Sequence, residues 1–498
     1  MDIPIQRGDG GSAPIYLQIA DYLRAEMEAG RLRSGTRLPT IRRLASELAV
    51  NRGTVSLAYE ELAARGLVTS TVGRGTFVRA PAAAEPVTPD APGAFQPVFT
   101  APVERLIDLE NARPRYAADG DAIAFHALVP DPSLYPADAF RRALNRVLAS
   151  EGAELLSYGG PQGHRGLREA LAKRFAAAGM RHSADEIVLC QGASQGIALA
   201  MRLFAERGDV VAVEEPTYSN VLSAIASLGL KTAPVPMRET GLDLAALEHT
   251  LARPDVKLLY TIPTFHNPLG TSTSVEHREA LLACAGRHGK PVVEDAYEMD
   301  LAYSGRALPP LAALDAAGLV VHLFSFSKSL FPGARVGSIA ARGRLIDALL
   351  AMRNATDLGG ALVLQAALSQ FVADGDYDRH LARLRRTLRS RRDAMLAALR
   401  RHFPDGARWS EPSGGYQIWV ELPEGLDSRD LLEDAQAAGV LFAPGFLFHH
   451  DGRPSRGLRL TIATADEAAI ERGVAKLGER IHARLAAGPP PRRAAVPV

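Results

Sequence analysis

The chain has 498 residues, of which 47% are hydrophobic and 23% charged, the balance of a globular protein with a large core. Its length predicts about three domain-sized units, and a net charge of only +1 says nothing about partners. Two cysteines, Cys190 and Cys284, leave no disulfide framework and no metal-ligand cluster, so no metal is expected; no run of ~18 apolar residues is present to span a membrane.

The N-terminus "MDIPIQRGDGG" has neither a basic head nor an apolar run, so no leader is expected and the chain is placed in the cytoplasm. "PIYLQIADYLRAEMEAG" then predicts an amphipathic helix with Ile19, Leu23 and Met27 on one face. "LPTIRRLASELAV" follows from Thr40 as N-cap, and "NRGTVSLAYEELAARGL" from Asn51. Two short helices joined by a tight turn form a helix-turn-helix pattern, with Arg52, Thr54 and Ser56 near the start of the recognition helix. "LVTSTVGRGTFVRA" reads as a two-stranded wing with Arg74 at its tip. Six arginines and one acid lie between Arg31 and Arg52, and Arg42 and Arg43 are placed to neutralise phosphates. "RLPTIRRLASELAVNRGTVSLAYEELAARGLVTSTVGRGTFV" resembles the winged helix-turn-helix of GntR-superfamily regulators across residues 13–79.

Residues 81–105 are rich in proline and alanine, lack a period, and read as a semi-stiff extended linker. Beyond them, strand and helix signals alternate: "EIVLCQ", "GASQGIALAMRLFAERG", "VVAVEEP", "VKLLYTIP", "VEHREALLACAGRHG", "PVVEDAY" and "VVHLFSFSK". Aliphatic strands between amphipathic helices predict an α/β fold with a mainly parallel sheet covered on both faces, and ligands bind such sheets at the strands' carboxyl ends. The arginine-rich "RHLARLRRTLRSRRDAMLAALRRHF" reads as a solvated helix face, with an auxiliary DNA contact as the other reading. The boundaries are 1–80 for the DNA reader, 81–118 for the linker, 119–485 for the large unit with a smaller C-terminal α/β subdomain, and 486–498 for a disordered tail.

One lysine, Lys328, sits in "SFSKSLFPGARVG". A partly desolvated lysine has a lowered pKa, so its neutral amine attacks an aldehyde such as that of pyridoxal phosphate. That cofactor needs an acid for its ring nitrogen, donors for its phenolic oxygen and a cup for its phosphate. Asp295 is the candidate acid, Tyr297 and Asn267 the donors, and Tyr218 a ring to stack on the pyridine. Ala193, Ser194 and Gln195 open a helix whose N–H groups suit a phosphate; Ser325, Ser327 and Arg335 complete the cup.

The order of "FHALVPDPSLYP", "YGGPQGHRGLREALAKRF", "EEPTYSN", "PTFHNPLGT", "VVEDAYEMD", "SFSKSLFPGARVG" and "GGYQIWVELP" resembles fold type I aminotransferases of class I/II over residues 122–475. The resemblance implies that Lys328 carries the cofactor, that Arg459 in "RGLRLTIA" binds a substrate or effector carboxylate, and that Tyr158 reaches the phosphate of a neighbouring subunit. Reader, linker and aminotransferase-like unit together resemble the MocR-type regulators, which implies a head-to-tail homodimer that binds pyridoxal phosphate and controls transcription from an operator, with repeated half-sites expected. The effector is then an amine, an amino acid or the cofactor itself. Asn267 departs from many relatives of that type, so an active aminotransferase with a fused DNA-binding module stands as the alternative.

Overall fold

The computed structural model describes residues 3–5, 13–71, 75–79, 97–116, 122–305 and 307–487. The chain divides into two compact units, 1–98 and 99–498.

The first unit holds α1 (Ile15–Glu28), α2 (Ile41–Glu47), α3 (Arg52–Ala64), β1 (Val68–Thr71) and β2 (Gly75–Val78). α2 starts where Thr40 Oγ1 accepts from the Arg43 N–H at 3.3 Å, and α3 where Asn51 Oδ1 accepts from the Gly53 N–H at 2.9 Å. Each cap satisfies a backbone donor that the first helical turn leaves without an acceptor. Ala49, at a left-handed φ of 50°, makes the turn between the two helices. Ile19, Leu23, Leu44, Val55 and Leu62 form the core, and β1 and β2 pair antiparallel with Val68 opposite Val78. The wing tip, with Arg74, lies outside the described residues.

The second unit begins with a correction. The stretch read as an extended linker contains a helix, α4 (Ala101–Asn111). Its proline falls in the first turn, where a missing N–H costs nothing. Pro102, Leu106 and Leu109 are half-buried along one side, and α4 packs on α8 (Ser219–Ser227). The proline- and alanine-rich composition concealed this apolar stripe. The rest of the linker reading, residues 81–96 and 117–118, lies outside the described residues, as does the tail from 488; the last helix runs to Ala487, two residues into the stretch read as tail.

After β3 (Ile123–Ala124), α5 (Ala137–Leu155) and α6 (Arg165–Ala177), an eight-stranded sheet is built from β4 (Ile187–Cys190), β5 (Val210–Glu215), β6 (Lys231–Arg238), β7 (Gly241–Leu242), β8 (Val256–Thr261), β9 (Val292–Asp295), β10 (Val320–Ser325) and β11 (Gly337–Ala340). The order is β4-β11-β10-β9-β8-β5-β6-β7. The pairs β5–β6, β5–β8, β8–β9 and β9–β10 are parallel; β11 lies antiparallel between β4 and β10. Alternate residues feed two cores, as strand geometry demands. Ile187 and Leu189 face one with Cys284; Val188 and Cys190 face the other, beneath α7 (Ala193–Phe204). A four-stranded antiparallel sheet (408–409, 417–421, 457–461, 443–444) forms the smaller subdomain. On the arginine-rich helix Asp376–His402, Arg379, Arg400 and Arg401 pair with Asp376, Glu411 and Glu471 at the surface, whereas Arg391 is buried on Asp131.

Candidate functional site

The carboxyl ends of β4, β9 and β10 converge on one cavity of about 100 Å³. Ala193, Ser194, Tyr218, Asn267, Asp295, Tyr297, Ser325, Ser327, Lys328, Arg335 and Leu128 line it. Larger cavities elsewhere, up to about 720 Å³, hold none of the assigned residues, so donor chemistry and not size marks the site.

Asp295 ends β9 and is 1% exposed. Its Oδ2 accepts from the Tyr260 hydroxyl at 2.7 Å, while Oδ1 is buried without a partner. Burial pushes this carboxyl up to about 6, against the Tyr260 hydroxyl and the Tyr297 N–H, which favour the charge. Lys328 follows β10; its backbone carbonyl accepts from the Tyr416 hydroxyl at 2.7 Å, and its Nζ donates to the Leu128 carbonyl. Burial pushes the amine down; the Glu298 carboxylate opposes that shift, and Arg459 and Arg335 add to it.

Gly192 takes φ +78° before α7, and a Cβ there would meet the Arg335 guanidinium at 3.2 Å, so the glycine makes the cradle. Arg335, itself left-handed at φ 48°, donates to the Gln191 carbonyl at 3.0 Å. Ser325 Oγ accepts from the Ser327 N–H at 3.2 Å, and Ser327 Oγ is buried without a partner. Gln195 departs from the expectation. Its side chain folds back to accept from the Gln191 N–H and to donate to Asp357, so only its backbone belongs to the helix N-terminus.

Asn267 is held in place from below. Glu214 accepts from the Thr261 hydroxyl and the Ile262 N–H, and binds His266 Nε2 at 3.0 Å, fixing the turn before Asn267. Asn267 Oδ1 accepts from Arg459 Nη1 at 2.9 Å; Arg459 Nη2 donates to the His126 carbonyl at 2.8 Å, and its Nε is buried without a partner. The Tyr297 hydroxyl accepts from the Gln417 amide. Tyr158 is 85% exposed, away from the cavity.

Sequence reasoning missed three residues. Tyr260 was hidden in an aliphatic strand, although a phenol there was a visible signal. Leu128, inside "FHALVPDPSLYP", was given no role of its own. Glu298, next to Tyr297, is 1% exposed, with both carboxylate oxygens buried and outside hydrogen-bond geometry; burial raises its pKa, while Lys328, the Gln417 amide and the Tyr416 N–H favour its charge.

In the first unit, Arg42 and Arg52 are exposed, and Thr54 and Ser56 are half-buried at the start of α3. Ser56 Oγ donates to Glu60 at 3.0 Å. Arg43, exposed like Arg42, pairs with Glu47 at 2.8 Å.

Comparison with known proteins assigns both units. Residues 130–477 match the family model "Aminotransferase class I and II", and residues 15–78 match "Bacterial regulatory proteins, gntR family". Across 93% of both chains the sequence is 31% identical to the probable rhizopine catabolism regulatory protein MocR of Rhizobium meliloti. The chain belongs to the MocR-type regulators. A second relative, the HTH-type transcriptional regulator YdcR of Escherichia coli, is 32% identical over 94% of this chain and 99% of its own. The MocR-type large unit has the fold type I aminotransferase architecture. A multiple substrate aminotransferase from Thermococcus profundus covers 78% of this chain and 96% of its own at TM-score 0.70 and 31% identity. LysN of Thermus thermophilus, solved with N-(5'-phosphopyridoxyl)-L-leucine, gives 0.69 at 31% identity over 78% and 96%. No helix among the described residues is long and apolar enough to cross a membrane.

Proposed function

We propose that this MocR-type regulator binds pyridoxal phosphate at Lys328 and uses that site to sense an amine, changing how the N-terminal unit holds an operator. One observation carries the reading: nine side chains suited to that cofactor line a single cavity, and two polar atoms in it, Asp295 Oδ1 and Ser327 Oγ, are buried without partners. Such atoms are costly to bury unless a ligand satisfies them. A pyridinium N–H suits the first and a phosphate oxygen suits the second.

Bound there, the cofactor supplies an aldehyde open to amines and a ring that takes up electrons. Asp295 holds the proton at the ring nitrogen. Asn267 and Tyr297 donate to the ring oxygen, and Tyr218 covers the ring. Ser325, Ser327, Arg335 and the first turn of α7 take the phosphate. Arg459 receives a carboxylate. Tyr158, exposed on this subunit, is assigned to the phosphate of a partner in a head-to-tail homodimer. Arg42, Arg52, Thr54, Ser56 and Arg74 form the DNA face, read by two copies on repeated half-sites, in the cytoplasm.

The test compares operator affinity in cofactor-free, cofactor-loaded and amino-acid-treated protein. A ligand that favours one arrangement shifts affinity by about 5- to 150-fold in allosteric systems. Equal affinity in all three states, together with steady conversion of amino acid to keto acid, overturns the sensor in favour of an active aminotransferase.

A further inference from the structure

β8 and β9 lie parallel, with Tyr260 opposite Val293. Side chains alternate along a strand, so Asp295, two residues on, shares a face of the sheet with Val293 and Tyr260. Tyr260 is buried among the aliphatic residues of that face, Val211, Val213 and Leu258 included, and its hydroxyl donates to Asp295 Oδ2 at 2.7 Å. Burial, with the Asp295 charge beside it, pushes the phenol well above its ordinary range, so the hydroxyl keeps its proton and acts as a donor. Asp295 lines the cavity and Tyr260 does not, and Asp295 Oδ1 is buried without a partner. One carboxyl oxygen is thus held from within the sheet, and the other is left to the cavity. The other titratable groups around this carboxyl are Tyr218, Tyr297, Glu214 and His322. Their side chains are engaged elsewhere: Tyr218 with Asn220, Tyr297 with Gln417, Glu214 with His266, and His322 with Glu294. Among the described residues, Tyr260 supplies the one side-chain hydrogen bond to Asp295.

We propose that Tyr260 is a positioning residue: by holding Oδ2 it presents Oδ1, charged, to the nitrogen of the cofactor ring. This rests on the cofactor reading above. A buried carboxyl with no donor can take a proton on either oxygen and turn either one to the cavity. A phenol that only donates leaves Oδ1 as the oxygen free to exchange a proton. Hydrogen bonds to a charged acceptor are among the stronger ones, and losing this one disfavours the charged form of Asp295.

The experiment uses Tyr260→Phe, which keeps the buried ring and removes the hydroxyl, in the wild-type and Asp295→Asn backgrounds. Urea midpoints of cofactor-free, full-length protein are measured from about pH 4 to about pH 9. The folded pKa of Asp295 is raised, so its contribution to stability is lost as pH rises through that value. Without the donor the folded pKa rises further, and the pH at which stability stops falling is expected to move up by about 1–2 pH units. In the Asp295→Asn background the same substitution should leave the shape of the profile unchanged. A tyrosine that served packing alone would lower stability equally at every pH. In equilibrium dialysis at pH 8, Tyr260→Phe is expected to hold the cofactor roughly 10- to 100-fold more weakly, with Lys328 still labelled by borohydride at saturating cofactor. An unmoved pH profile, or an unchanged cofactor affinity, overturns the proposal while leaving the cofactor reading standing. No label on Lys328 in the wild type overturns the cofactor reading itself, and this proposal with it.

Discussion

Arg113, just past the end of α4, donates through Nη2 to Asn220 Oδ1 at 2.8 Å. The Asn220 amide in turn donates to the Tyr218 hydroxyl at 2.9 Å, and Tyr218 lines the cavity. The segment just past the first helix of the large unit thus reaches the cavity through one asparagine. Arg113→Ala is expected to keep the cofactor spectrum and basal operator affinity, and to reduce the ligand-induced change in affinity by at least about fivefold. An undiminished change, measured by fluorescence anisotropy on labelled operator, removes Arg113 from the coupling.

Lys328 is expected to hold the cofactor covalently. Borohydride reduction followed by peptide mapping should place the label on the peptide containing Lys328. Lys328→Ala should lose the cofactor on dialysis. Label on another lysine ends the assignment.

The two exposed arginines of the reader and the ion-paired one should behave differently. Arg42→Ala and Arg52→Ala are each expected to lower the slope of log affinity against log salt by about 1, the signature of one lost phosphate contact. Arg43, held by Glu47 in the first unit, should change it less. Equal slopes for the wild type and all three variants would place the DNA face elsewhere.

Asp295 makes a prediction about stability and pH. Burial raises its folded pKa to about 6, above the 3.8 of a free carboxyl. Between those values the folded state holds the proton that the unfolded state has lost, so stability falls as pH rises through this window and stays low above it. The difference is of order 3 kcal/mol for a fully buried group. Cofactor-free Asp295→Asn should therefore have a higher urea midpoint than the wild type at pH 8. The gap should close as pH falls from about 6 to about 4. The same variant should fail to retain cofactor. A constant gap from pH 8 to pH 4 refutes the linkage.

The parts of the molecule legible in its sequence are those written locally. Thr40 and Asn51 announce two helices because a cap is a short-range bond, and the aliphatic runs announce strands because both faces of the sheet are buried. The polar residues at strand ends gather at one site because the parallel strands of the sheet point one way. α4 was missed because its apolar side is three half-buried residues in proline- and alanine-rich surroundings. Leu128 and Lys328 were beyond local reading for another reason: they are 200 residues apart, and only tertiary structure brings that carbonyl to that amine. Tyr260 and Glu298 likewise owe their part to what packs across from them. Gln195 shows the converse, a motif residue whose side chain satisfied a nearer backbone donor instead.

Cys190 and Cys284 lie on opposite sides of the great sheet, each 2% exposed, with burial pushing both thiols up to about 12. Neither is a nucleophile while its layer stays closed. Each becomes one when that layer opens, so a thiol-reactive dye turns the pair into two separate clocks. Cys190 times the release of α7, whose first turn lines the cavity, and Cys284 times the loosening of the opposite layer. Cofactor binding should slow the first clock more than the second, and the ratio of the two labelling rates would map which half of the large unit the ligand braces.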